Sequence, residues 1–349
     1  MSLIKEKIPV AILGATGSVG QKFIELLTNH PWFEITELCA SDRSAGKNYK
    51  DTVDWFLSAP IPEGVKNIQV NKCEPVLKSK VVFSGLDSGV AGDIESKFAK
   101  AGYLVISNSK NHRMDKDVPL LIPEVNPDHL TLIKKQKYNG GSIVTNPNCS
   151  VIGLVIALKP LADKFGIESI NVTTMQAISG AGHPHVVKLD IEDNVIPLIK
   201  GEEEKLETEP LKILGRIKNK NLEFENFKIS AQCNRVNVTD GHTECVQIKL
   251  KRKATKKELI DAWQGFYSLP QELNLPSAPL KPIQYLAEEN LPQPKYQRDS
   301  DSGMAVSIGR LREDPIFDYK FVLLSHNTVR GAAGGAILCA ELMKARGII

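Results

Sequence analysis

A short apolar run, Ile8 to Leu13, passes straight into Gly14-Ala15-Thr16-Gly17-Ser18-Val19-Gly20 and then into a helical-spacing segment ending near Thr28. No other stretch restricts the fold as much. Glycines at this spacing permit a turn tight enough to join a strand to a helix, and they let backbone amides approach a pyrophosphate. The helix N-terminus adds partial positive charge for the same anion. A tight βα turn with no ligand leaves the same trace, but its place at the first strand of an alternating segment favours a dinucleotide. The candidate contacts in the loop are Gly14, Thr16, Gly17, Ser18 and Val19.

The alternation continues. Ile35–Ala40, Val81–Ser84, Leu104–Ser107 and Ile143–Thr145 read as strands, with a helix over Gly92–Ala101, as in a parallel doubly wound sheet. The second half has another grain: a helix over Ser150–Phe165, a β-branched strand over Ser169–Gln176, and Arg235–Val238 and Glu244–Lys251 alternating as antiparallel strands do. A helix over Lys256–Tyr267, strands at Ala305–Leu311 and Tyr319–Leu324, and one long helix from about Thr328 to Ala345 close the chain. A length of 349 residues suits two domains. The residues alone specify the first as α/β and the second only as mixed.

Composition excludes several classes. A net charge of +3, with one basic cluster (Lys249 to Lys253) that lacks interleaved aromatics, gives no footprint for nucleic acid. The apolar stretches are too short or interrupted to span a bilayer, and Met1 to Lys7 has no signal-like apolar core, so a cytoplasmic protein without a membrane partner is expected. The six cysteines form no CxxC pair and no zinc-like spacing, so no metal is expected.

The loop after the second strand chooses the cofactor. Ser41, Arg43, Ser44 and Lys47 can bind a 2′-phosphate, which points to NADP, while Asp42 can pair with Arg43 or serve an NAD ribose. A polar solvated loop is the bland alternative. Of the cysteines, Cys149 stands apart. It lies in Asn146-Pro147-Asn148-Cys149-Ser150, where a strand ends and an apolar helix starts, so the helix N-terminus favours its thiolate and adjacent amides suit an oxyanion. A thiolate adding to a carbonyl needs an acid–base partner. Among seven histidines, His242 is best placed, after a glycine turn and seven residues beyond Arg235, whose guanidinium suits a carboxylate substrate. His183 and His185 follow another glycine turn and are open to either reading.

Together these segments resemble the aspartate-β-semialdehyde dehydrogenase family, in the branch found in archaea and fungi. The likeness covers nearly the whole chain through Gly14–Gly20, Ser84–Ser88, Ser107–Met114, Asn146–Ser150, Gln176–Gly182, Arg235–His242, Asp301–Val306 and Val329–Gly335. The resemblance implies an α/β fold: an N-terminal Rossmann-type nucleotide-binding domain over 1–148 plus 326–349, and a C-terminal α+β catalytic and dimerisation domain over 149–325. It implies NADPH-dependent reduction of aspartyl 4-phosphate to aspartate semialdehyde and phosphate, on the route to threonine, methionine and isoleucine, by a homodimer or homotetramer.

In that chemistry Cys149 is the nucleophile and His242 the acid–base. Gln176 orients the intermediate, Arg235 binds the α-carboxylate, Glu202 the α-ammonium, and Arg113 with Lys205 the phosphate. Ser179, Gly180 and Asn327 face the nicotinamide, and Ser84, Gly85, Leu86 and Asn108 complete the cofactor contacts. The run Glu202-Glu203-Glu204-Lys205 reads equally well as a solvated helix face. Three rivals remain at this point: a malonyl-CoA reductase of the same branch, the more distant N-acetyl-γ-glutamyl-phosphate reductase, and a non-catalytic NADP-binding regulator.

Overall fold

The computed structural model describes residues 6–183 and 190–349; His185 lies outside them. The chain forms two compact units.

The first comprises Met1–Pro119, Leu130–Asn146 and Ala336–Ile349. Its strands are β1 (Ile8–Leu13), β2 (Phe33–Ala40), β3 (Val70–Lys72), β4 (Val81–Ser84), β5 (Leu104–Ser107) and β6 (Ser142–Thr145). They pair in parallel in the order β3-β2-β1-β4-β5-β6. Both faces of such a sheet are covered, so its strands are continuous apolar runs: Val10 to Leu13 are all fully buried. Helices Ser18–Leu27 and Ser88–Lys100 supply crossovers, and Ala11, Leu13, Val82, Phe98, Val105 and Ile143 share one core cluster. The strand order reverses between β1 and β4, so the loops after these two strands flank the crevice where such sheets bind ligands.

The second unit comprises Leu120–His129 and Pro147–Gly335. It holds β7 (Ile167–Gln176), the small pair β8 (Arg216–Lys218) and β9 (Asn221–Glu223), then β10 (Lys228–Arg235), β11 (His242–Leu250), β12 (Ile283–Leu286), β13 (Val306–Glu313) and β14 (Tyr319–Ser325). The large sheet is mixed, in the order β10-β7-β11-β14-β13-β12. The helix Cys149–Phe165 has most of its residues buried in the core, where Trp263 Nε1 donates to Ala157 O at 2.9 Å.

Two sequence expectations change here. The segments around Arg235 and His242 are not neighbouring strands. β10 ends at Arg235, pairing in parallel with β7, and β11 pairs antiparallel with the other edge of β7. Alternation within each segment cannot reveal an intervening strand from elsewhere in the chain. The closing helix also changes its bonding: Val329–Ala333 is a π-helical turn that runs directly into the α-helix Gly334–Ala345. The stretches 120–129, 147–148 and 326–335 group with the second unit. Leu120, Ile122 and Val125 are part of that unit's core.

Candidate active site

Cys149 is the first residue of its helix. Asn148 caps it, with Oδ1 accepting from the amides of Ser150 at 3.0 Å and Val151 at 3.4 Å. A sulfur there lies in the positive end of the helix field. Its Sγ is 3.3 Å from His242 Nε2. His242, at the start of β11, is fully buried, and its Nδ1 accepts the Ala177 amide hydrogen at 3.0 Å. With Nδ1 taken as acceptor, the neutral ring carries its hydrogen on Nε2 and turns it toward the sulfur. Burial first, and then the Arg235 guanidinium, push the imidazole down to about 3, so it is neutral at physiological pH.

The peptide of Ala177 has a second task. Its carbonyl accepts from Arg235 Nη1 at 2.7 Å, so one peptide orients both the histidine and the buried arginine. The β7–β10 register sets Arg235 directly beside Gln176. Gly180 closes over them: a Cβ there would come 2.7 Å from Arg235 Nη1 and 3.3 Å from His242 Nε2. Asn327 joins the same ring, its Oδ1 accepting the Gly241 amide and its Nδ2 donating to Ser179 Oγ, both at 2.8 Å.

Glu202 is not on a solvated helix face. It opens the helix Glu202–Ile213, and Glu202, Leu206, Glu209 and Ile213 are buried along one side. Its carboxylate accepts from Asn148 Nδ2 at 2.9 and 3.1 Å, from Gln176 Nε2 at 3.4 Å and from Lys205 Nζ at 2.5 Å. Burial alone would raise this carboxyl, but the Lys205 charge and these hydrogen bonds outweigh it and hold the group below its ordinary value. Glu209 Oε2 accepts the Asn148 amide at 2.8 Å. The second unit therefore brings Cys149, His242, Gln176, Arg235, Glu202, Lys205, Ser179, Gly180 and Asn327 into one connected set.

In the first unit, Gly14 adopts φ +77°, and a Cβ on it would meet the Gly85 carbonyl oxygen at 2.8 Å. A Cβ on Gly20 would be 2.1 Å from Gly14 O, so helix and turn pack backbone to backbone. Gly17 differs. It is the helix N-cap, it has space around it, and no cap side chain bonds the first-turn amides. That cradle fits a pyrophosphate. Ser41 and Arg43 are exposed and Ser44 is buried. Asp42 Oδ1 lies 3.4 Å from Lys72 Nζ, the ion pair recorded for it, although both side chains are largely exposed. The Ser84 hydroxyl is engaged by Glu95 Oε1 at 2.6 Å, as is that of Ser107 at 2.7 Å. Arg113 is buried beside Asn108, donating from Nη2 to its carbonyl at 2.8 Å.

Residues 9–133 match the family model for the semialdehyde dehydrogenase NAD binding domain, and residues 158–330 match that for the semialdehyde dehydrogenase dimerisation domain. The chain is 50% identical to an aspartate-semialdehyde dehydrogenase of Archaeoglobus fulgidus over 96% of this chain and 97% of that protein. It belongs to the aspartate-semialdehyde dehydrogenase family. The enzyme of that name from Candida albicans is 48% identical over 97% of this chain and 98% of its own. A crystal structure of the Candida albicans enzyme with NADP superposes with a TM-score of 0.91 at 45% identity, over 99% of this chain and 100% of that one. Archaeal and fungal relatives agree with the branch expected from the sequence.

Some residues of this family member gave no functional signal in the sequence. Asn148 was legible as part of a motif but not as the link between the Cys149 helix and Glu202. Glu209 lies seven residues after Glu202, a spacing that places both on one helix face. Glu244, two residues beyond His242 on the same face of β11, is fully buried, and neither carboxyl oxygen has a hydrogen-bond partner among the described residues. Burial raises it well above the usual carboxylate range. Among the described residues no group of three His, Cys, Asp or Glu side chains can hold a metal ion, and no helix is long and apolar enough to cross a membrane.

Proposed function

We propose that this protein reduces L-aspartyl 4-phosphate with NADPH to L-aspartate 4-semialdehyde and phosphate, on the route to threonine, methionine and isoleucine, in the cytoplasm. The observation that carries the reading is the Cys149 Sγ to His242 Nε2 approach of 3.3 Å at an Asn-capped helix start, with a buried cation, Arg235, and a buried anion, Glu202, tied into the same cluster. A substrate bearing one carboxylate and one ammonium matches that pair of charges.

The Cys149 thiolate attacks the acyl carbon, a C–S bond forms, and the C–O bond to phosphate breaks. NADPH, when bound, supplies the hydride that takes the thioester to the aldehyde level. His242, the assigned acid–base group, faces the sulfur through Nε2–H and stabilises the thiolate by donation. It offers that N–H to the oxygen of the tetrahedral adduct as it forms and as it collapses with breaking of the C–S bond, which returns the thiolate. Gln176 orients the acyl group. Arg235 holds the α-carboxylate, Glu202 the α-ammonium, and Arg113 with Lys205 the phosphate.

Gly14, Thr16, Gly17, Ser18 and Val19 cradle the pyrophosphate. Ser41, Arg43 and Ser44 take the 2′-phosphate, Ser84, Gly85, Leu86 and Asn108 complete the cofactor contacts, and Ser179, Gly180 and Asn327 take the nicotinamide side. The first unit is thus assigned to NADP and the second to chemistry and to subunit pairing as a homodimer or homotetramer.

Phosphate-dependent reduction of NADP⁺ by aspartate semialdehyde tests the assignment. Reduction of malonyl-CoA without that activity would replace the substrate and keep the chemistry. Neither reaction would leave a cofactor-binding protein without turnover.

A further inference from the structure

Gly331 lies against the nucleophile. A Cβ built on it would stand 2.8 Å from Cys149 Cβ, 2.9 Å from its Cα and 3.0 Å from its carbonyl oxygen, so the backbone of residue 331 forms one wall of the cysteine's seat. Gly331 sits in the π-helical turn Val329–Ala333, where the Gly331 amide reaches the His326 carbonyl at 2.9 Å and the Ala333 amide reaches that of Thr328 at 3.2 Å. Single π turns are rare and are frequent at functional sites; this one opens the terminal helix. Something must hold this one in place.

The holding group is Arg330. Its guanidinium side chain is 1% exposed and makes a two-point pair with Glu124, Nη1 to Oε1 at 2.7 Å and Nη2 to Oε2 at 2.5 Å. Both partners belong to the second unit. Glu124 sits on a stiff segment. Asn126 Oδ1 accepts the Ile122 amide, Asn126 Nδ2 donates to Leu120 O, both at 2.9 Å, and His129 Nε2 reaches Gly215 O at 3.0 Å. The other end of the turn is fixed by Asn327 to Gly241, the residue before His242. The turn is thus anchored on the histidine side by Asn327 and on the far side by Glu124, with Gly331 between them on Cys149.

We propose that the buried Arg330–Glu124 pair is a positioning device for the nucleophile, which holds the Gly331 backbone on Cys149 and so keeps Sγ facing His242 Nε2. The proposal rests on Cys149 being the nucleophile. A planar two-point pair fixes orientation as well as distance, which a lysine cannot reproduce. A buried ion pair of this kind is weak evidence of stability, since apolar replacements of both partners often fold as well or better. That property makes a clean test.

The experiment compares wild type, Gly331→Ala, and the double variant Arg330→Met/Glu124→Leu. For each, the rate of Cys149 alkylation by iodoacetamide is followed across pH, with kcat and KM for aspartate semialdehyde, and folding is checked by thermal melting. We expect both variants to lose kcat, on the order of a hundredfold for a displacement near 1 Å, with KM little changed. The pH midpoint of alkylation should move up as the sulfur leaves the imidazole N–H. A purely structural pair would shift the melting temperature and leave that midpoint alone. A folded double variant with wild-type kcat and alkylation would overturn the proposal. Wild-type behaviour in Gly331→Ala would remove the wall on Cys149 through which the pair acts and so overturn it too. If the double variant does not fold, Arg330→Lys, which keeps the charge and loses the two-point pair, is read in its place, and wild-type kcat and alkylation there would overturn the proposal. Wild-type protein whose Cys149 alkylates as expected but which turns over no semialdehyde would remove the enzymatic reading while still allowing the midpoints to be compared.

Discussion

Among the helices that follow strands of the parallel sheet, two differ in the residue that caps them. The helix Ser18–Leu27 is capped by Gly17, which has no side chain to bond its amides. The helix Cys149–Phe165 is capped by Asn148, whose Oδ1 takes the Ser150 and Val151 amides. Both carry the same positive end of a helix field. The uncapped end keeps its donors for an external anion. The capped end satisfies its donors internally and leaves the field to act on a covalent side chain, the Cys149 sulfur. In the function proposed above, one local geometry serves an anion-binding site at one terminus and a nucleophile at the other, and the two differ in their cap.

That contrast can be broken in order of expected effect. Cys149→Ala should cut turnover on the order of 10⁴-fold or more while leaving NADPH affinity, measured by fluorescence titration, nearly unchanged. A variant retaining more than about a hundredth of the rate would end the covalent mechanism. Gly17→Asp makes the first terminus resemble the second. Gly17 has extended backbone at φ −83°, ψ 170°, so the substitution should be tolerated. The helix should gain a few tenths of a kcal/mol from the cap, whereas NADPH should bind several hundredfold more weakly, since like charges roughly 4 Å apart near a surface repel by several kcal/mol. Unchanged affinity would mean that this terminus does not hold the pyrophosphate.

A smaller effect sharpens the cofactor side. Arg43→Ala should weaken NADP by about 1.5–3 kcal/mol, the range for a hydrogen bond to a charged group, and leave NAD affinity alone. Equal use of NADH and NADPH by the wild type would count against the whole 2′-phosphate assignment. The smallest change is expected for the second cap: Asn148→Ala should lower stability by about 1 kcal/mol in a denaturant melt. It should also disturb catalysis, because Asn148 Nδ2 bonds Glu202.

The uncapped terminus was the more legible of the two, because strand, glycines and helix are adjacent in the chain. The cysteine junction was legible for the same local reason. What surrounds it was not. Gln176 and Arg235 meet through a strand pairing across about sixty residues, and β7 had to be placed between β10 and β11 before the two halves of the site could be drawn. Glu202 was hidden by its own neighbours, since acids buried by partners on other elements leave no apolar period. The π-helical start at Val329–Ala333 was hidden too: a change from α to π bonding alters no residue type, and Arg330 meets a carboxylate 206 positions away.

Glu244 carries a consequence for the whole molecule. Burial raises its carboxyl well above 4.5, the ordinary value it regains on unfolding, and so favours the neutral form in the fold. Between those two values the native state holds a proton that the unfolded chain has released, so stability falls as pH rises, by about 1.4 kcal/mol for each pH unit. That contribution is complete below about pH 4.5 and is lost as pH climbs toward the folded value. A glutamine at this position keeps the shape and never ionises. The melting temperature of Glu244→Gln should therefore pull ahead of wild type as the buffer moves from pH 5 to pH 8, and a gap that does not widen would mean the carboxyl is already ionised in the fold. A carboxyl two places beyond His242, buried with no hydrogen-bond partner among the described residues, thus weakens the fold as the solution turns alkaline.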